Sequence, residues 1–189
     1  MSERYISLLI DELNQAAAHI KQEQLDALVK LILQAPKVLV AGAGRSGLMM
    51  RAFVMRLMHL GIPAYVVGET VTPGFSAGDM LLIGSGSGET ASLLAAAQKA
   101  NKLDGVIGVI TLKPQSSIGL LADHTIQLSG STKDAGSEQS QSIQPMGSLF
   151  EQTLLIVLDS IILSLMDKQG IDIKLCTQDM RIWNSLCAI

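Results

Sequence analysis

The sequence predicts an α/β fold: a doubly wound, parallel, five-stranded sheet in three layers, with additional helices at both ends of the chain. Short apolar runs alternate five times with helical patterns, which is typical of a parallel sheet covered on both faces. The runs are continuously apolar, as expected for strands buried on both sides. Glycine-rich turns follow the first and the third runs. We therefore expect the flavodoxin-like strand order, with ligands bound at the carboxyl edge where these two strands lie side by side.

The predicted elements follow one another with short connections. Apolar residues spaced three and four apart predict two amphipathic helices before residue 35. The five strands are predicted at 37–41, 63–67, 80–83, 106–111 and 124–128. The helices between them are predicted at 48–60, 92–101 and 116–122. A polar loop over 129–144 leads to an apolar helix from Leu149 to about Met166, and a last helix is predicted to begin near Thr177.

Length and composition fit one domain that associates with copies of itself. The 189 residues divide into N-terminal helices (1–35), a core (36–128) and C-terminal helices (145–189). Hydrophobic residues make up 48% of the chain and charged residues only 16%, which favours apolar surface buried between subunits. The chain is therefore expected to form a homo-oligomer.

The charge pattern excludes several classes of partner. A net charge of −3 without a basic cluster argues against nucleic acid and against an anionic membrane. No run reaches the ~18 apolar residues of a membrane span and the N-terminus lacks the layout of a signal peptide, so we expect a cytoplasmic protein.

Cys176 and Cys187 show neither zinc-binding nor redox spacing. No metal site and no cofactor are predicted.

The segment Gly84-Ser85-Gly86-Ser87-Gly88-Glu89-Thr90 joins the third strand to the next helix. The first turn of a helix has unpaired backbone N–H groups and the positive end of the helix dipole, so it attracts anions. Three glycines let the backbone approach a ligand closely. The hydroxyl groups of Ser85, Ser87 and Thr90 add further hydrogen bonds, and the segment predicts a phosphate site.

The loop after the first strand fits the pattern G-x-G-x-x-G through Gly42, Gly44 and Gly47. Glu69 follows about twenty residues later, as in dinucleotide-binding folds, and a nicotinamide-dependent Rossmann enzyme is therefore an alternative. However, Arg45 and Ser46 occupy the turn, and a second, hydroxyl-rich loop follows the third strand. We prefer an interpretation in which both loops form opposite sides of one monophosphate pocket.

The chain resembles the sugar isomerase (SIS) domain family, and within it the 6-phospho-3-hexuloisomerases, along most of its length. The matching segments are Ala-Gly-Arg-Ser-Gly at 43–47, Met-Arg-Leu-Met-His-Leu-Gly at 55–61, Val-Val-Gly-Glu-Thr at 66–70, Gly-Ser-Gly-Ser-Gly-Glu-Thr at 84–90 and Gln-Pro-Met-Gly-Ser-Leu-Phe-Glu at 144–151. The resemblance implies a homotetramer with sites at subunit interfaces. It implies the interconversion of D-arabino-hex-3-ulose 6-phosphate and fructose 6-phosphate. It assigns the phosphate to Ser85, Ser87 and Thr90, with Ser46 nearby.

The implied reaction moves a carbonyl from C3 to C2 through a cis-enediol, which needs a base and a proton donor but no metal. Glu151 is the best candidate base, because it lies early in an apolar helix directly after a loop, where a carboxylate is partly desolvated. His59 ends a helix at an expected subunit contact. It either serves a neighbour's pocket as acid or oxygen donor, or it is a purely structural residue. Arg45 is expected to steer the phosphate or hold a sugar hydroxyl, and the alternative is that it only pairs with an interface carboxylate.

The C-terminal segment departs from the family pattern. An Arg-His pair is usual in the last helix of the isomerases, whereas this chain has Ile182-Trp183-Asn184-Ser185-Leu186. Asn184 donates a hydrogen bond but does not titrate. This difference leaves a second hypothesis open, a phosphosugar-binding sensor or regulatory protein without catalysis.

Overall fold

This computed structural model describes residues 2–130 and 142–171, which contain five α-helices and five β-strands. The helices are α1 (Ser2–Ala17), α2 (Gln22–Gln34), α3 (Gly44–His59), α4 (Ala91–Lys102) and α5 (Ser148–Gln169). The strands are β1 (Val38–Gly42), β2 (Ala64–Val66), β3 (Met80–Gly84), β4 (Val106–Thr111) and β5 (His124–Gln127). The predicted α/β class is confirmed.

The strands form one parallel sheet in the order β2-β1-β3-β4-β5. This is the flavodoxin-like order that the sequence predicts. In the register between β1 and β3, Gly42 is paired with Gly84. The glycine-rich loops that follow the two strands therefore leave the sheet next to each other at its carboxyl edge.

Helices cover both faces of the sheet and give three layers. Alternate residues along each strand face opposite sides, so the two faces hold separate core clusters. On one face, Val38 and Val40 of β1 pack in a cluster with residues of α2, α3 and α5. On the other face, Leu39 and Ala41 pack in a cluster with residues of α4. Helix α1 lies outside the first layer and packs on α5.

The prediction of a helix at 116–122 is wrong. The segment contains only a single 3-10 turn, Gly119–Leu121. The backbone N–H of Ser117 donates to the Glu89 carboxylate at 2.8 Å, and that of Ile118 donates to the carbonyl of Gly88 at 3.1 Å. The end of the segment has the three-residue spacing of a 3-10 turn, because the N–H of Leu121 donates to the carbonyl of Ile118 at 3.1 Å and that of Ala122 to the carbonyl of Gly119 at 3.2 Å.

Helix α5 corrects a second expectation. Among the described residues, this helix alone is long and apolar enough to cross a membrane by length and composition, although the sequence was expected to contain no such segment. Ten of its residues are buried in the protein, among them Leu154, Leu158 and Ile161. Burial within the protein accounts for its apolar character.

The predicted last helix near Thr177, both cysteines and Asn184 lie outside the described residues.

Candidate functional site

A cavity of about 310 Å³ opens at the carboxyl edge of the sheet between β1 and β3. One wall is the turn from β1 into α3 together with the first turn of the helix, which contains Arg45 and Ser46. A second wall is the β3–α4 loop, which comprises residues 85–90. The third is the N-terminal end of α5 with the residue before it, including Gly147 and Glu151. Three separate parts of the chain thus meet at the place where doubly wound folds bind ligands.

Hydrogen bonds inside the β3–α4 loop fix its shape. The Ser85 hydroxyl accepts from the backbone N–H of Gly88 at 3.1 Å, and the Ser87 hydroxyl accepts from that of Glu89 at 3.2 Å. Thr90 is the N-cap residue of α4, but its side chain makes no capping hydrogen bond. A hydroxyl that already accepts a hydrogen bond still has a proton to donate. All three hydroxyl residues line the cavity.

The segment after β4 supports the β3–α4 loop from outside. The carbonyl of Gly86 accepts from the Leu112 backbone N–H at 3.2 Å. The bond from the backbone N–H of Ser117 lowers the pKa of Glu89 below its ordinary value, so this carboxylate is charged when it holds the loop. Gly88 has a φ of 65°, and a Cβ there would lie 1.9 Å from the Ser116 hydroxyl oxygen. Only glycine fits this turn.

The β1–α3 loop makes an equally close turn. A Cβ on Gly47 would lie 2.6 Å from the carbonyl oxygen of Gly42, so two of the three glycines in the G-x-G-x-x-G pattern are required by their mutual contact. Glu69, which the dinucleotide hypothesis places on a ribose, instead contacts the exposed Arg51. Glu69 is not among the residues that line the 310 Å³ cavity.

An ion pair spans the cavity between the first turn of α3 and α5. Nη1 of Arg45 donates to Oε2 of Glu151 at 3.1 Å. The Glu151 side chain is only 11% exposed, whereas that of Arg45 is 47% exposed. The buried carboxylate is therefore held in place by a guanidinium that remains accessible from solvent.

The structure brings six of the seven predicted site residues together. Arg45, Ser46, Ser85, Ser87, Thr90 and Glu151 all line the cavity. His59 does not, because it is at the opposite end of α3 from the cavity. From Arg45 to His59 the helix rises about 21 Å, at about 1.5 Å per residue. The Nδ1 atom of His59 is buried and has no hydrogen-bond partner among the described residues.

Sequence reasoning missed the apolar part of the cavity. Phe150, which is 3% exposed, lies 3.3 Å from where a Cβ on Gly86 would be, so its ring packs on the β3–α4 loop. Leu93 and Leu112 complete the apolar lining. The only signal in the sequence was that Phe150 directly precedes the candidate base. No group of three or more His, Cys, Asp or Glu side chains within 2–130 and 142–171 is arranged to hold a metal ion.

Comparison with protein families identifies a SIS domain over residues 31–156. The 3-hexulose-6-phosphate isomerase of Bacillus subtilis (strain 168) is 50% identical over 168 residues, which cover 89% of this chain and 91% of that protein. The 3-hexulose-6-phosphate isomerase of Mycobacterium gastri is 42% identical over 168 residues, which cover 88% of this chain and 83% of that protein.

Solved structures show the same architecture. A crystal structure of a hypothetical protein from Methanococcus jannaschii, reported as inferring a molecular function of 3-hexulose-6-phosphate isomerase, superposes with a TM-score of 0.77. Its sequence is 35% identical, and the match covers 94% of this chain and 97% of that one.

Proposed function

This chain belongs to the SIS domain family, and from that membership we propose that it is a 3-hexulose-6-phosphate isomerase. It interconverts D-arabino-hex-3-ulose 6-phosphate and fructose 6-phosphate. The observation that carries the proposal is one cavity with a hydroxyl-rich loop at a helix N-terminus and the buried Glu151 carboxylate on another wall. The first suits a phosphate, and the second suits proton transfer on the sugar attached to it.

The phosphate is assigned to the β3–α4 loop. Ser85, Ser87 and Thr90 donate hydroxyl protons, and the N-terminus of α4 contributes its dipole. Hydrogen bonds to a charged group contribute about 1.5–3 kcal/mol each, so these groups suffice without a lysine. Ser46 lies on the opposite wall and is assigned to the sugar or the phosphate oxygens.

Glu151 is assigned as the base. Its carboxylate takes the proton from C2, the C2–C3 bond becomes the enediol, and the carboxyl group then gives a proton to C3 while the hydroxyl proton moves from O2 to O3. This sequence is balanced without a metal or a redox cofactor.

Arg45 connects phosphate binding with the base. Its guanidinium is bound to Glu151 and is half exposed, so it has room to turn toward an incoming phosphate. Phosphate and carboxylate compete for the same bidentate donor group. Binding of the substrate then frees Oε2 of Glu151 at the moment when the sugar arrives beside it.

A second copy of the chain completes the site in this proposal. Exposed apolar side chains lie along α3, among them Leu48 and Met58, and the buried Nδ1 of His59 has no partner within the described residues. A neighbouring subunit that covers this face would place its own pocket near His59, which then donates to the sugar oxygens. The assembly is a homotetramer of single-domain subunits in the cytoplasm, with sites at the subunit interfaces.

The test measures ligand binding in the wild type and in a variant of the β3–α4 loop, and it measures turnover in the wild type. Fructose 6-phosphate should raise the melting temperature of the wild-type protein, since a ligand stabilises the state that it binds. The double variant Ser87→Ala, Thr90→Ala should lose this stabilisation, and its KM should rise about 100-fold from the loss of two charged hydrogen bonds. The wild type should form fructose 6-phosphate from the 3-hexulose 6-phosphate. Saturable binding without turnover, or stabilisation by NADH instead, would contradict the proposal.

A further inference from the structure

Glu12 of α1 accepts three hydrogen bonds from residues 142–144, the segment that leads to the third wall of the cavity. Its carboxylate accepts from the Ser142 hydroxyl at 2.8 Å, from the Ile143 backbone N–H at 2.8 Å and from Nε2 of Gln144 at 2.9 Å. The Ser142 hydroxyl in turn accepts from the Gln144 backbone N–H at 3.0 Å. One carboxylate therefore fixes three successive residues that are 130 or more positions away in the sequence.

The chemistry of this contact requires a charged carboxylate. All three partners donate, and an ionised carboxyl group is an acceptor only. Burial acts to raise the pKa of Glu12, but the hydrogen bonds from Gln144, Ile143 and Ser142 outweigh it and lower the pKa below its ordinary value. At neutral pH Glu12 is therefore present in the form that makes all three bonds.

Only three residues separate this anchor from α5. Pro145 accepts at its carbonyl from the hydroxyl and the backbone N–H of Ser148, and the Gly147 carbonyl accepts from the Glu151 backbone N–H at 3.0 Å. Met146, between them, has a φ of 58°. A non-glycine residue in that region is strained and persists only where the surrounding contacts impose it.

We propose that Glu12 is a positioning residue for catalysis: by anchoring residues 142–144 it holds the turn at 145–147 and thereby orients the first turn of α5, so that Glu151 faces the cavity. This inference rests on the proposed function, because it assigns Glu151 as the base. Glu12 is not among the residues that line the 310 Å³ cavity, and it acts through the segment that it holds. The helix α1, which lies outside the sheet layers, thus has a part in the reaction.

Glu12→Ala removes all three bonds, and Asp11→Ala, at an exposed neighbour on the same helix, is the matched control. We expect kcat to fall about tenfold in Glu12→Ala, while KM changes less than about twofold because the β3–α4 loop is untouched. Glu12→Gln, which keeps the shape and one acceptor, should restore part of kcat. Ser142→Ala removes one donor and should lower kcat to a smaller extent.

Hydrogen exchange gives a readout that does not depend on turnover. The backbone amides of residues 143–151 should exchange faster in Glu12→Ala than in Asp11→Ala, with the amides of the β3–α4 loop unchanged. An unchanged kcat in Glu12→Ala, or a rise in KM alone, would overturn the positioning role. A wild type that binds fructose 6-phosphate but does not isomerise would overturn the proposed function and with it this role in catalysis. The exchange result would then show whether Glu12 anchors the segment at all.

Discussion

The two principal walls of the cavity are built in different ways. The β3–α4 loop, which is the proposed binding wall, has internal bonds such as that from Gly88 to Ser85, and its other bonds come from β4 and the segment after it, at 25 positions for Gly86 and 28 for Glu89. The N-terminal end of α5, which is the proposed catalytic wall, and the segment before it are held by partners farther away in the sequence, Arg45 at 106 positions and Glu12 at 130 or more. The binding wall is therefore held by the next elements of the chain, whereas the catalytic wall depends on contacts between parts of the chain that are far apart in the sequence.

This difference suits the two tasks. Phosphate is a constant part of the substrate, and a rigid loop binds it without reorganisation. The base has to be held within about 0.5 Å of the position from which it takes a carbon-bound proton, and that accuracy comes from several long-range contacts that hold one helix end. Changes to each wall should consequently affect different kinetic constants.

Glu151→Gln should have the largest effect of the changes to the catalytic wall. We expect kcat to fall by about 10²–10⁴-fold, because the amide cannot accept the proton, while the stabilisation by fructose 6-phosphate remains. Asp159→Asn, at an exposed carboxylate further along the same helix, is the control and should keep its activity. The assay is steady-state isomerisation combined with thermal unfolding. Equal losses of binding and turnover in Glu151→Gln would show that the two walls are not separable.

Acid pH should have the smallest effect and should act on both walls. The pKa values of Glu89, behind the binding wall, and of Glu12, behind the catalytic wall, are lowered in the folded protein. A lowered pKa stabilises the fold above the ordinary value, and this contribution is lost as the pH falls through the folded pKa. The melting temperature should therefore fall as the pH drops through the ordinary carboxyl value of 4.5 and below it.

The fall should be shallower in Glu12→Gln and in Glu89→Gln, because each variant lacks one of the titrating groups. Glu23→Gln, at an exposed carboxylate on α2, should show the slope of the wild type. A slope that none of the three substitutions changes would mean that other groups control the acid stability.

The sequence was sufficient for the features that depend on local patterns. The continuously apolar strands gave the parallel sheet, and the Gly-Ser-Gly-Ser-Gly segment gave the loop at the start of α4. The segment predicted as a helix at 116–122 contains only a 3-10 turn, and its first N–H groups donate to Glu89 and Gly88 in another part of the chain. Propensity contains no information about such a partner.

The catalytic wall was predictable in part. Glu151 could be placed early in α5, but the Arg45 ion pair and the Glu12 anchor depend on tertiary contacts that no spacing reveals. In contrast, the distance of His59 from the pocket of its own subunit could be predicted, because the rise of a helix that begins near Arg45 already implies it. A role of His59 in the reaction is therefore proposed only toward a neighbouring subunit's substrate, and a purely structural role is the alternative.

The central claim is proton transfer through an enediol on Glu151, and isomerisation in ²H₂O tests it most directly. The account predicts that fructose 6-phosphate formed by the wild type contains deuterium at C3, because the proton on the carboxylate exchanges with solvent before it is returned. Glu151→Gln should form neither product nor label. Unlabelled product from the wild type at every stage of the reaction, or labelled product at the wild-type rate from Glu151→Gln, would contradict the account.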